Sequence, residues 1–149
     1  MPYLNALHED GGMDMIKVFY GEKGMGKSKM MVEMANGHAE KREGDVVFID
    51  DSNDLMYKLK HVIRFTDVSV YPVVGEAQFF AFICGIVSQN YDIESIFIDG
   101  LTYIVKEDIN ALEGFFAKLS GISKKYNVSF ILSINGKSDN APEFLKQYI

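Results

Sequence analysis

The chain has 149 residues, 48% of them hydrophobic, with a formal charge of -6 and a sequence pI near 5.0. That content is enough to bury a sizeable core in one domain and excludes disorder beyond the ends. An acidic balance in which Arg42 and Arg64 are the only arginines excludes a broad nucleic-acid surface, which needs clustered cations.

The first residues, "MPYLNALHEDGG", lack a basic stretch followed by an apolar run, so no signal peptide is read there. Residues 1–14 are expected to form a flexible extension, and 15–149 a single domain. The lone Cys84, set in "AFICGIV", cannot pair internally and reads as a small core residue of a cytoplasmic protein. The sequon at Asn127 then carries no sugar, and the longest apolar run, residues 77–88, is too short to span a bilayer.

In chain order, the first β-rich run is "MIKVFY" (15–20), and it breaks into "GEKGMGKS" (21–28). This stretch fits the pattern G-x-x-x-x-G-K-[ST] at Gly21, Gly26, Lys27 and Ser28. Such a loop turns its backbone N–H groups inward, a shape that glycine allows, and presents them to phosphate oxygens. The predicted helix 28–41 opens at the same point and adds its positive dipole end. The phosphate-binding residues are therefore Gly21, Glu22, Lys23, Gly24, Met25, Gly26, Lys27, Ser28 and Lys29. Lys27 would reach the β and γ phosphates, and the Ser28 hydroxyl would hold Mg²⁺.

The next elements are a strand at "DVVFID" (45–50), a helix over 52–64, a strand at "DVSVYPVV" (67–74) and a helix over 76–90. The strand "SIFIDG" (95–100) follows and places Asp99 at its carboxyl end, where a carboxylate would complete the magnesium shell. A helix over 106–126 carries Ile109, Leu112, Phe116, Leu119 and Ile122 on one stripe, and "VSFILSI" (128–134) is the last strand. Strands of nearly continuous apolar residues, alternating with helices, predict an α/β fold. Its architecture would be three-layer α/β/α, with a five-stranded, mainly parallel sheet and ligands at the strands' carboxyl ends.

Other clusters read as structure. His8, His38 and His61 lack ligand spacing. Met25, Met30, Met31 and Met34 read as flexible core filling, Phe79, Phe80 and Phe82 as core or a subunit contact, and Lys124 and Lys125 as a helix-end charge pair.

With the glycine loop, the blocks "DVVFIDDSNDL", "DVSVYPVVGEAQFF", "ESIFIDGLTYI" and "NVSFILSINGK" resemble, in that order, the core of the RecA-like recombinase and KaiC-type ATPase family of P-loop NTPases, over about residues 15–136. The resemblance implies a sheet ordered third, second, fourth, fifth, first strand, and Mg-ATP as ligand. It places Ser52 where that family has its water-polarising glutamate, leaving Asp50 or Asp51 as the available base. Asp51 or Ser52 reads equally as a helix N-cap. Asn135 stands at the sensor position, followed by Gly136 where a glutamine is often found, and the family's DNA-binding loops have no counterpart.

Arg42 and Arg64 read as helix-end charges rather than a cation beside the γ-phosphate, a place that Lys23 could take. Slow hydrolysis, or hydrolysis that depends on a homo-oligomer or protein partner completing a thin base pocket, is expected. Two alternatives stay open. A non-hydrolysing nucleotide-binding module fits the missing glutamate and arginines. A GTPase is raised by "NGKSD" (135–139), which is similar to the guanine-reading N-K-x-D motif but for the extra Gly136, while Thr102 stands where a glycine would be needed.

Overall fold

A computed structural model describes residues 15–41 and 43–149. The expected extension 1–14 and Arg42 lie outside the described residues. The five strands are β1 (Ile16–Gly21), β2 (Asp45–Asp50), β3 (Arg64–Asp67), β4 (Ile93–Ile98) and β5 (Ser129–Asn135). They form one parallel sheet in the order β1-β5-β4-β2-β3, which is the order the resemblance implies. The helices are α1 (Lys27–Lys41), α2 (Gly75–Gln89), α3 (Leu101–Val105) and α4 (Glu113–Tyr126).

Side chains alternate across each strand, so the sheet feeds two apolar layers. Val47, Ile49, Ile96, Ile98, Phe130 and Leu132 point to the layer shared with α2, α3 and α4. Val46, Phe48, Phe97 and Ile131 point to the layer shared with α1. The expected stripe is present only in part on α4: Phe116 and Leu119 are buried there and Ile122 packs against them half-buried, whereas the buried Leu112 and Ile109 lie before the helix, Ile109 in a 3-10 turn. Phe115, also fully buried, widens it.

Three expected elements are corrected. The helix over 52–64 does not form. Its residues Leu55, Leu59 and Ile63 pack under α1, but the backbone runs through turns and a short 3-10 segment, Met56–Lys58. Asn36 of α1 holds this path, donating from Nδ2 to the Lys58 carbonyl (3.0 Å) and accepting from the Lys60 N–H (2.8 Å). Side chains that bond nearby backbone compete with helix, and here Ser52 accepts from the Asp54 N–H at 3.3 Å. Hence neither Asp51 nor Ser52 caps a helix, and Arg64 opens a strand instead of ending a helix.

The strand expected at 67–74 is β3 at Arg64–Asp67. Asp67 ends it by accepting from the Ser69 N–H (3.0 Å) and hydroxyl (2.6 Å), and Pro72 has no N–H to continue a ladder. The helix expected over 106–126 begins only at Glu113. Asp108 accepts from the Asn110 N–H at 2.9 Å and starts a 3-10 turn, Ile109–Ala111, while α3 stops where Lys106 takes φ +59°.

The methionines divide: Met31 is buried and Met34 half-buried, whereas Met25 and Met30 are exposed. Core filling therefore holds for two of the four. Cys84 is half-buried with its thiol pKa raised by burial. Phe79 is buried, and Phe80 and Phe82 pack half-buried against the same layer. Among the described residues no helix is long and apolar enough to cross a membrane.

Candidate functional site

The loop between β1 and α1 begins at Gly21, the last residue of its strand, and closes where α1 begins at Lys27. Gly24 (φ +88°) and Gly26 (φ +85°) occupy the left-handed region, where a side chain is strained. Gly21 does not, and a Cβ there would meet nothing within 4 Å. The glycines thus shape the turn at its middle and end. Lys27 folds into it: Nζ donates to the carbonyls of Gly21 (2.8 Å) and Glu22 (2.9 Å). Burial lowers the pKa of this ammonium, while Asp99 and Tyr103 act in the opposite sense.

Three further strand ends converge on the loop. Asp99 follows β4, and its N–H donates to the Ile49 carbonyl (2.9 Å), which brings it beside Asp50 at the end of β2. The Ser28 hydroxyl donates to Asp99 Oδ2 at 2.9 Å. Asn135 ends β5 and pairs in register with Gly21. Gly136 continues that ladder, its N–H donating to the Gly21 carbonyl at 3.0 Å, and a Cβ on it would overlap the Tyr20 ring.

Asp50 is 5% exposed. Burial pushes its carboxyl up to about 7; the Asp51 N–H, which donates to Oδ1 at 2.7 Å, opposes the shift, and the nearby Asp99 and Asp51 carboxylates reinforce it. Asp51 is exposed. The two aspartates named as alternative bases therefore differ: Asp50 is buried and titrates near neutrality, whereas Asp51 faces solvent.

A cavity of about 490 Å³ opens among these groups. Of the residues expected from the sequence, Lys23, Gly24, Gly26, Lys27, Ser28, Lys29, Asp50, Asp51, Asp99 and Asn135 line it. Gly21, Glu22 and Met25 do not, although the first two contribute the carbonyls that hold Lys27. Gly100, Tyr103 and Ser133 also line it and escaped the sequence reading. The signal for Ser133 was a hydroxyl inside the apolar run "FILSI"; for Tyr103, it was a position four residues past Asp99.

The donor set suits a hard cation. A serine hydroxyl and a carboxylate lie in contact, all oxygen, as magnesium prefers. Among the described residues no group of three or more His, Cys, Asp and Glu could hold a metal by itself, so an ion here would share the oxygens of a phosphate ligand. Arg64 starts β3, three residues before the Asp67 that pairs with Asp50, and does not line the cavity.

No protein-family model matches the sequence, and no curated protein matches it either. Among solved structures, the flagellar accessory protein FlaH from Methanocaldococcus jannaschii superposes with a TM-score of 0.51 at 14% identity, over 91% of this chain. The likeness is one of fold. The match spans 66% of the FlaH chain, just under two thirds of its length.

Proposed function

We propose that this chain is a P-loop protein that binds a magnesium nucleoside triphosphate, with ATP as the nucleotide, and hydrolyses it slowly. The observation that carries the reading is the meeting of loop and strand end. Gly24 and Gly26 are left-handed between β1 and α1, and the first helical hydroxyl, Ser28, already contacts Asp99 at 2.9 Å. The loop and the N-terminus of α1 would bind the phosphates, Ser28 and Asp99 would hold magnesium, and Lys23, Lys27 and Lys29 would offset phosphate charge. Bound magnesium would supply charge neutralisation on the phosphate oxygens. Lys27 would leave the Gly21 and Glu22 carbonyls to reach the γ-phosphate. Asp50 would accept a proton from the attacking water, and Asn135 would orient the transferred group.

Differential scanning fluorimetry with ATP, GTP and ADP, with and without Mg²⁺, tests this. A ligand that binds the folded state raises the melting temperature with concentration. Absence of a shift with every nucleotide would overturn the reading, and a larger shift with GTP would replace ATP.

A second reading, a nucleotide-binding module without hydrolysis, is favoured by the cations at the cavity. All are lysines among the described residues, and a transition state gains most from an arginine. Phosphate release no faster than that of Lys27→Ala, at every protein concentration, would select it.

A further inference from the structure

We propose that Ser133 is a positioning residue for the ion site, fixing both the Asp99 carboxylate and the turn that follows it. The inference rests on the magnesium nucleotide reading above. Ser133 lies on β5, 3% exposed, in a strand whose other inward side chains are apolar. Its Oγ accepts from the Gly100 N–H at 2.8 Å and donates to Asp99 Oδ1 at 2.5 Å. A hydroxyl has one proton, so with Gly100 occupying an acceptor position that proton is committed to Asp99.

The opposite oxygen of Asp99, Oδ2, receives the Ser28 hydroxyl at 2.9 Å. The carboxylate is therefore held at both oxygens, from β5 on one side and from the loop on the other. It cannot turn without losing a charge-assisted bond in a buried setting, where such bonds are strongest. One oxygen is tied back into the sheet, and the oxygen that meets Ser28 is left toward the place where magnesium would bind.

The same hydroxyl acts on the main chain. Gly100 has φ +75°, and its carbonyl accepts from the Tyr103 and Ile104 N–H groups at 3.0 and 3.1 Å, which opens α3. By holding the Gly100 N–H, Ser133 sets where α3 starts and so brings Tyr103 to the cavity wall. Ser133 itself coordinates nothing; it acts through Asp99 and Gly100. Groups that orient a metal-binding side chain in this way typically change metal affinity about 10- to 100-fold when removed.

The test is a magnesium titration at fixed ATP, read as the rise in melting temperature, together with the rise caused by ATP in EDTA. For Ser133→Ala the expected result is a half-maximal Mg²⁺ concentration at least about tenfold higher, with the EDTA value unchanged. Ser133→Thr, which keeps the hydroxyl, should return the midpoint to that of the native protein. Ser133→Cys, a weaker donor of similar size, should fall between, and serves if the alanine variant is lost from solution. A melting temperature lowered equally in all conditions, with the magnesium midpoint unmoved, would overturn the proposal and leave Ser133 a purely structural group. If the native protein itself shows no magnesium-dependent rise, the nucleotide reading fails and this inference falls with it.

Discussion

At the scale of residues, the loop glycines are not equivalent. Gly24 and Gly26 sit at positive φ, so Gly24→Ala or Gly26→Ala should each cost about 1–2 kcal/mol in urea denaturation and remove the nucleotide-induced melting shift. Gly21→Ala has open space and ordinary backbone and should leave stability of the free protein within about 0.5 kcal/mol. Asp50 makes a second prediction. Its folded pKa is about 7 against an ordinary 3.8, so between those values the folded chain binds more protons than the unfolded one. Stability from this group is therefore present at low pH and lost as pH rises through about 7. Asp50→Asn, which cannot ionise, should raise the melting temperature at pH 8 by roughly 10 °C and change it little at pH 4, while abolishing any phosphate release that depends on this base.

At the scale of elements, the strands were legible because four of them are short apolar runs ending in marked residues. "DVVFID" coincides with β2 at Asp45–Asp50, and Asp99 stands directly after β4, as "SIFID" foretold. The loop was legible because its glycines, Lys27 and Ser28 are adjacent in sequence. Part of what failed to show was decided locally, by Asp67 and Asp108 each accepting from the N–H two residues on, and the rest by bonds between distant residues. Leu55, Leu59 and Ile63 have helical spacing, yet Asn36, far back in the chain, takes the Lys58 carbonyl and the Lys60 N–H and holds turns instead. Asn36→Ala should cost about 1 kcal/mol, with the midpoint of urea unfolding lowered at unchanged slope. Ser133 was hidden for the same reason, since its partners Asp99 and Gly100 lie 34 and 33 residues away. The start of α2 is likewise set from afar, by Glu107 accepting from the Glu76 N–H at 2.6 Å.

At the scale of the whole molecule, the sheet brings every charged group of the site to one end, and the cations there are lysines. If a neighbouring copy supplies the missing positive group, phosphate release per chain should rise with protein concentration, and light scattering should show larger species with ATP and Mg²⁺ than without. Release per chain that stays flat across a hundredfold range would point to a self-sufficient, slow site. The two faces of the sheet are also unequally armoured: α2, α3 and α4 cover one, whereas the other has α1 and the turns pinned by Asn36. That inequality would couple folding to protonation. Segment 52–63 adjoins Asp50 and Asp51, and turns held by a few exposed bonds open at lower free energy than core helices. Each such opening would admit water to Asp50, let its carboxyl return to its ordinary acidity and release its proton. Native-state hydrogen exchange in this segment should therefore quicken, beyond the intrinsic pH effect, as pH rises toward 7, and level off above it. The Asn36 latch would thus govern the chemistry of a carboxylate that it never touches.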